Sequence, residues 1–153
     1  MVSVIAPSID FPAHKISVFL AGTITGAKMD WQRQITESLK DFDIVVFNPR
    51  RAKKPEDEEG VREQITWEYE NLKQADLVSF WFSSETVAPI TLYELGAQVA
   101  TNKPIVIGMD PKYPRRFDVE VQVPLARPDI PIVYSLKDLS DKISENLNDL
   151  FQT

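Results

Sequence analysis

The stretch LVSFWFSSETVAPITLYELGAQVATN, residues 77–102, decides how the rest of the chain is arranged. Leu77 to Phe82 form a short apolar run rich in aromatics, the composition of a buried strand. A polar linker covers Ser83 to Ala88, and a pattern with helical spacing begins at Pro89. Proline fits a first helical turn because its missing N–H would have no partner there. Leu92, Leu95, Gly96 and Val99 recur at spacings of three and four, so one stripe of this helix is expected to pack inward. Glu94 lies off that stripe, about one turn in. A carboxylate just beyond a buried strand sits where open α/β sheets gather their ligand chemistry. The plainer alternative is a solvated glutamate complementing the positive end of the helix.

Outward from this stretch, the same alternation repeats. Lys15 to Leu20 is an apolar run ending in AGTITGA, where Gly22 and Gly26 bracket Thr23 and Thr25. Such a loop lets backbone approach a ligand and hydroxyls bond it; a plain tight connection fits equally well. Asp30 to Leu39 has helical character, with Asp30 as its N-cap. Asp43 to Phe47 is a second buried strand, closed by Asn48-Pro49-Arg50-Arg51, a turn that carries two guanidinium groups. Ala52 to Gly60 is a charged loop suited to a flap. Val61 to Gln74 reads as a helix with Ile65, Tyr69 and Leu72 inward, and with Glu68 on the edge of that face. A carboxylate there loses water, which raises its proton affinity; an ion pair with a neighbouring cation is the alternative.

Beyond residue 102, Pro104 to Met109 and Ile130 to Tyr134 supply two further strands, with an irregular segment from Asp110 to Val123 between them. Ser135 to Phe151 closes the chain as an amphipathic helix. Strands alternating with helices imply right-handed crossovers and a parallel sheet covered on both faces. The expected architecture is therefore a flavodoxin-like α/β three-layer sandwich. Its five-stranded sheet has order 2-1-3-4-5, with a switch point between the first and third strands. That rim gathers AGTITGA, the NPRR turn, Glu68 and Glu94.

Composition narrows the chemistry. A chain of 153 residues with 43% hydrophobic content is expected to form one domain over residues 1–153. The segment MVSVIAPSIDFPAHK lacks the form of a signal peptide, no apolar run is long enough to span a bilayer, and there is no cysteine. The cytoplasm is the expected location. A net charge of −6 argues against wrapping a nucleic acid polymer. One histidine, His14, leaves no basis for a His-based metal cluster or a Ser-His-Asp triad, and no cofactor is expected. Two carboxylates with hydroxyls, asparagine and aromatics suit chemistry at a sugar carbon, where an ionised carboxylate attacks C1 as a base departs. Glu94, near a helix start, is expected to stay ionised, and Glu68 to carry the proton.

FLAGTITG, the NPRR turn, ITWE of residues 65–68, and ADLVSFWF followed by ITLYELG together resemble the nucleoside 2-deoxyribosyltransferase-like family. The resemblance covers roughly the first two thirds of the chain. It implies a flavodoxin-like homo-oligomer that binds nucleosides and nucleobases. Such a protein exchanges the base of a 2′-deoxynucleoside through a covalent deoxyribosyl intermediate. It places Glu94 at the nucleophile and Glu68 at the residue that contacts the base. Gly22, Thr23, Thr25, Gly26, Trp31, Asn48, Arg50, Glu85 and Tyr93 are the accompanying candidates for substrate binding. Ala88 stands where better-known members carry a loop carboxylate, with Glu85 as a possible substitute, and Val18 stands where some members carry a tyrosine. Two other activities fit the same residues. One is an N-glycohydrolase of deoxynucleosides or their 5′-monophosphates, and the other a nucleotide-sensing module without turnover.

Overall fold

A computed structural model describes all residues from Met1 to Thr153. Its sheet has six parallel strands. They are β1 (Val2–Ile5), β2 (Ser17–Gly22), β3 (Val45–Asn48), β4 (Leu77–Phe82), β5 (Ile105–Met109) and β6 (Ile132–Val133). The helices are α1 (Trp31–Ser38), α2 (Glu58–Gln74), α3 (Pro89–Val99), α4 (Arg116–Ala126) and α5 (Leu136–Gln152). The order is β1-β3-β2-β4-β5-β6. Without β1 this is the expected 2-1-3-4-5 order, so the correction to the five-stranded reading is one added edge strand. VSVI is too short to announce itself, and what makes it a strand is pairing with β3 in register Val2 to Val45 through Ile5 to Asn48.

Strand residues alternate between two cores, as the period of a pleated strand requires. Val18 and Leu20 of β2 point to one side, against Trp31, Ile35 and Leu39 after β2 and Leu139, Ile143 and Leu147 of α5. Phe19 and Ala21 point to the other, against Trp67 and Leu72 of α2, Leu95 of α3, and Val119 and Val123 of α4. The sheet is therefore covered on both faces, which is why its central strands β2, β4 and β5 are buried along nearly their whole length and read as mostly apolar runs, with Ser79 the buried exception within β4. Asp30 caps α1 through the Arg33 N–H at 3.0 Å, as expected. No helix is long and apolar enough to cross a membrane.

Three local expectations are revised. Residues 116–126 form α4 rather than irregular chain. Pro111, Pro114 and an internal Pro124 obscure the Val119/Val123 pair that tertiary packing buries. Helix α2 starts at Glu58, with the Asp57 carboxylate accepting from the Gly60 N–H at 2.9 Å, so it absorbs the end of the charged loop. Its inward face also runs through Trp67, Asn71 and Leu72, while Ile65 and Tyr69 are exposed. Apolar residues occupy both sides of this helix, and the sheet chooses the side with the tryptophan.

Candidate active site

The turn after β2 and the loop after β4 meet at the C-terminal edge of the sheet, across the switch point between these strands. Gly22 is required there. A β-carbon at this position would stand 2.3 Å from the Trp81 carbonyl oxygen and 2.6 Å from Cζ2 of Trp31. The Thr23 N–H donates to the Trp81 carbonyl at 3.1 Å, and the Ser83 N–H donates to Thr23 Oγ1 at 3.2 Å. Trp31 Nε1–H donates to the Thr23 carbonyl at 2.8 Å. These bonds stitch the two loops together.

The second loop ends in Ala88, which adopts left-handed backbone geometry (φ 50°) without being glycine. Such a residue costs about 1–2 kcal/mol and persists only where its surroundings enforce it. Here the Ala88 N–H donates to Thr86 Oγ1 at 2.9 Å, and Tyr113 Oη–H donates to the Val87 carbonyl at 2.6 Å. The Tyr113 ring packs 4.8 Å from that of Phe82. The strained residue turns the chain into Pro89, and α3 then carries Glu94 in its second turn.

A cavity of about 380 Å³ opens between these pieces. Gly22 to Thr25 form one wall, Glu68 of α2 another, and Thr86 with Ala88 to Thr91 the third, with Glu94 completing the lining. Burial, aided by the negative charge of Glu68, pushes the Glu94 carboxyl up to about 8. Burial also raises Glu68, opposed by a hydrogen bond from Gln64 Nε2 to Glu68 Oε1 at 2.8 Å. The same Gln64 amide donates to the Pro49 carbonyl at 2.9 Å. That carbonyl can only accept, which fixes the orientation of the amide. Two half-buried carboxyls lining one cavity favour a proton held between them, because both cannot ionise cheaply.

This revises the expectation that Glu94 stays ionised. It is the sixth residue of its helix, past the first turn where the helix N-terminus acts on a charge, and desolvation dominates. The structure brings Glu94, Glu68, Gly22, Thr23 and Thr25 together, and it does not bring the other candidates to the cavity. Trp31 is 1% exposed, and its indole is spent on the Thr23 carbonyl. Asn48 Oδ1 accepts from the Arg50 N–H at 2.9 Å, shaping the turn after β3. Arg50 Nε donates to Gln32 Oε1 at 2.9 Å and lies 3.3 Å from Asp30, which ties it to the start of α1. Gly26, with φ 83°, packs near Thr86 outside the cavity lining. Glu85 is exposed and accepts from the Lys28 N–H at 3.4 Å. Tyr93 is 78% exposed and does not line the cavity.

Gln64 is the residue that sequence reading missed. Its signal was its position four before Glu68, one helical turn away on the same face. No group of three or more His, Asp or Glu side chains comes together in a metal-holding arrangement.

Among solved structures, a conserved protein from Enterococcus faecalis V583 superposes with a TM-score of 0.56 at 16% identity. The match covers 86% of this chain and 99% of that one, and shows a shared fold. A fungal multi-domain beta-N-acetylglucosaminidase with an N-acetyltransferase region matches at a TM-score of 0.48 and 12% identity. It covers 86% of this chain but 14% of that one, and carries no argument. No curated protein matches. The profile of the nucleoside 2-deoxyribosyltransferase-like family matches residues 15–113, a span that holds the Gly22–Thr25 turn, Glu68, the strained Ala88 and Glu94. The chain belongs to the nucleoside 2-deoxyribosyltransferase-like family.

Proposed function

We propose that this protein transfers a 2-deoxyribosyl group between nucleobases, with Glu94 as the nucleophile. The observation that carries this reading is the enclosure of Glu94 and Glu68 in one cavity beside the glycine-threonine turn. The Glu94 carboxylate bonds to C1′ of the deoxyribose as the C1′–N bond breaks and its electron pair leaves with the base. Glu68 gives its proton to the departing base nitrogen and takes one back from the incoming base, whose nitrogen then displaces Glu94. Two displacements at C1′ retain configuration. Positive charge developing on the sugar favours the proton on Glu68 and the charge on Glu94. This is the division of roles that one carboxylate nucleophile and one carboxylic acid need. Gln64 holds Glu68 in place for it.

The assembly we propose is a homo-oligomer, supported by the apolar side chains that α2, α3 and α4 leave in solvent, among them Tyr69, Tyr93, Phe117 and Leu125. A soluble protein of the cytoplasm is the setting in which nucleosides and free bases would meet it.

Incubation with deoxyinosine and adenine, followed by chromatography, tests the reaction. A new nucleoside indicates transfer, and free deoxyribose indicates hydrolysis by the same nucleophile. Trapping with a 2-fluoro-substituted nucleoside is expected to add the sugar to the peptide containing Glu94. Glu94→Gln is expected to lower exchange on the order of 10³-fold or more. Substantial turnover by this variant, or an adduct on another peptide, overturns the assignment.

A further inference from the structure

A second recess, of about 210 Å³, adjoins the carboxylate cavity, and the two share Ile24, Thr25 and Glu68. Its walls are largely apolar, built from Ile24, Pro49, Val61 and Ile65, while Arg51 and Lys54 supply positive charge. Beyond Glu68 and Glu94 no carboxylate lines either space. The two cations come from the short loop between β3 and α2. Arg51 is four-fifths buried and gives Nη1 to Glu63 at 3.1 Å, which leaves other guanidinium donors free. The Lys54 ammonium has no hydrogen-bond or ion-pair partner in the chain.

We propose that this recess is the nucleobase subsite, and that Arg51 and Lys54 select bases bearing a carbonyl where adenine and cytosine bear an amino group. The inference rests on the reading of Glu94 as nucleophile and adds the substrate class. With the sugar over Glu94, whatever continues past Glu68 lies in the smaller recess. A planar ring fits between proline, valine and isoleucine side chains. When the C1′–N bond breaks, the electron pair enters the ring and spreads onto its conjugated carbonyl oxygen. A cation facing that oxygen stabilises the departing base before Glu68 delivers its proton to the ring nitrogen. An amino group in the same place offers the cations only N–H donors and repels them. A charge-assisted bond of this kind corresponds to about a ten- to hundred-fold preference.

Hypoxanthine and adenine differ at that position, so calorimetric titration of the two free bases, paired with kcat/KM for deoxyinosine and deoxyadenosine, reads the preference. The wild type is expected to favour the carbonyl base about ten-fold or more. Lys54→Met, which breaks no internal bond, is expected to bring the ratio close to one, and Lys54→Arg to restore it, with unchanged circular dichroism. A wild type that favours adenine, or a ratio unmoved in both Lys54→Met and Arg51→Met, overturns the subsite. Trapping separates this from the parent reading. Adducts at Glu94 from both nucleosides without discrimination overturn the subsite alone. Discrimination between free bases without any adduct supports the subsite and overturns the nucleophile.

Discussion

The two helical layers of this protein treat their outer surfaces differently. On one face of the sheet, α1 and α5 bury Trp31, Ile35, Leu139, Ile143 and Leu147, and Phe151 near the chain end is the one large apolar side chain these helices expose. On the other face, α2, α3 and α4 bury a comparable stripe yet expose Ile65, Tyr69, Ile90, Tyr93, Phe117 and Leu125, several of them by more than 60%. The cavity with its two carboxyls opens beside this second layer. The first layer is a closed core, and the second carries the candidate site, a strained loop residue, half-buried acids and unpartnered apolar surface. Both faces of the sheet are packed, but the candidate site lies on only one of them, and exposed apolar patches of this kind mark surfaces that meet a partner.

The contrast can be broken first in the closed layer. Leu139 is fully buried and touches β5 near Gly108, so Leu139→Ala is expected to cost about 2–5 kcal/mol in chemical denaturation. A cost below about 1 kcal/mol would show that this face is not the tighter one. In the site layer the sign reverses. Glu94 has an ordinary carboxyl value of 4.5 in the unfolded chain and about 8 in the folded one. The native state therefore holds the extra proton between these limits, and stability falls as pH rises through them. Glu94→Gln removes that penalty and is expected to stabilise the protein by roughly 2 kcal/mol at pH 8.5, with no gain near pH 4. Equal stability at both pH values would show the carboxyl to be solvated. The smallest effect on folding belongs to the outer surface of the second layer. Leu125→Ser is expected to change unfolding free energy by less than about 0.5 kcal/mol while shifting the mass measured by light scattering towards monomer. An unchanged mass would separate that surface from assembly.

Much of this was legible in the chain. The aromatic run from Leu77 to Phe82 and the helical spacing after Pro89 follow from local periodicity, and the helical cap at Asp30 follows from a side chain that bonds neighbouring backbone. The glycine at position 22 was legible as a close-approach residue, although its reason, the Trp81 carbonyl and the Trp31 ring, was not. Trp31 and Arg50 illustrate the limit. Both have the chemistry of ligand contacts, and both are consumed by internal bonds to the Thr23 carbonyl and to Gln32. Nothing in their own sequence neighbourhood shows that those partners arrive first. The α2 stripe failed for a related reason, since periodicity counts apolar residues without knowing which side the sheet will cover.

By itself the sequence determined the alternation of strands and helices, the strand order around the switch point, and the rim where loops and acids collect, because each depends on periods and turn chemistry that act over a few residues. Only the tertiary structure decided that β1 joins the sheet, that Glu94 rather than Glu68 carries the larger rise in proton affinity, and that Gln64 fixes Glu68. Those outcomes depend on how much water the surrounding chain removes and on which charges it brings close, and both are set by residues far apart in sequence.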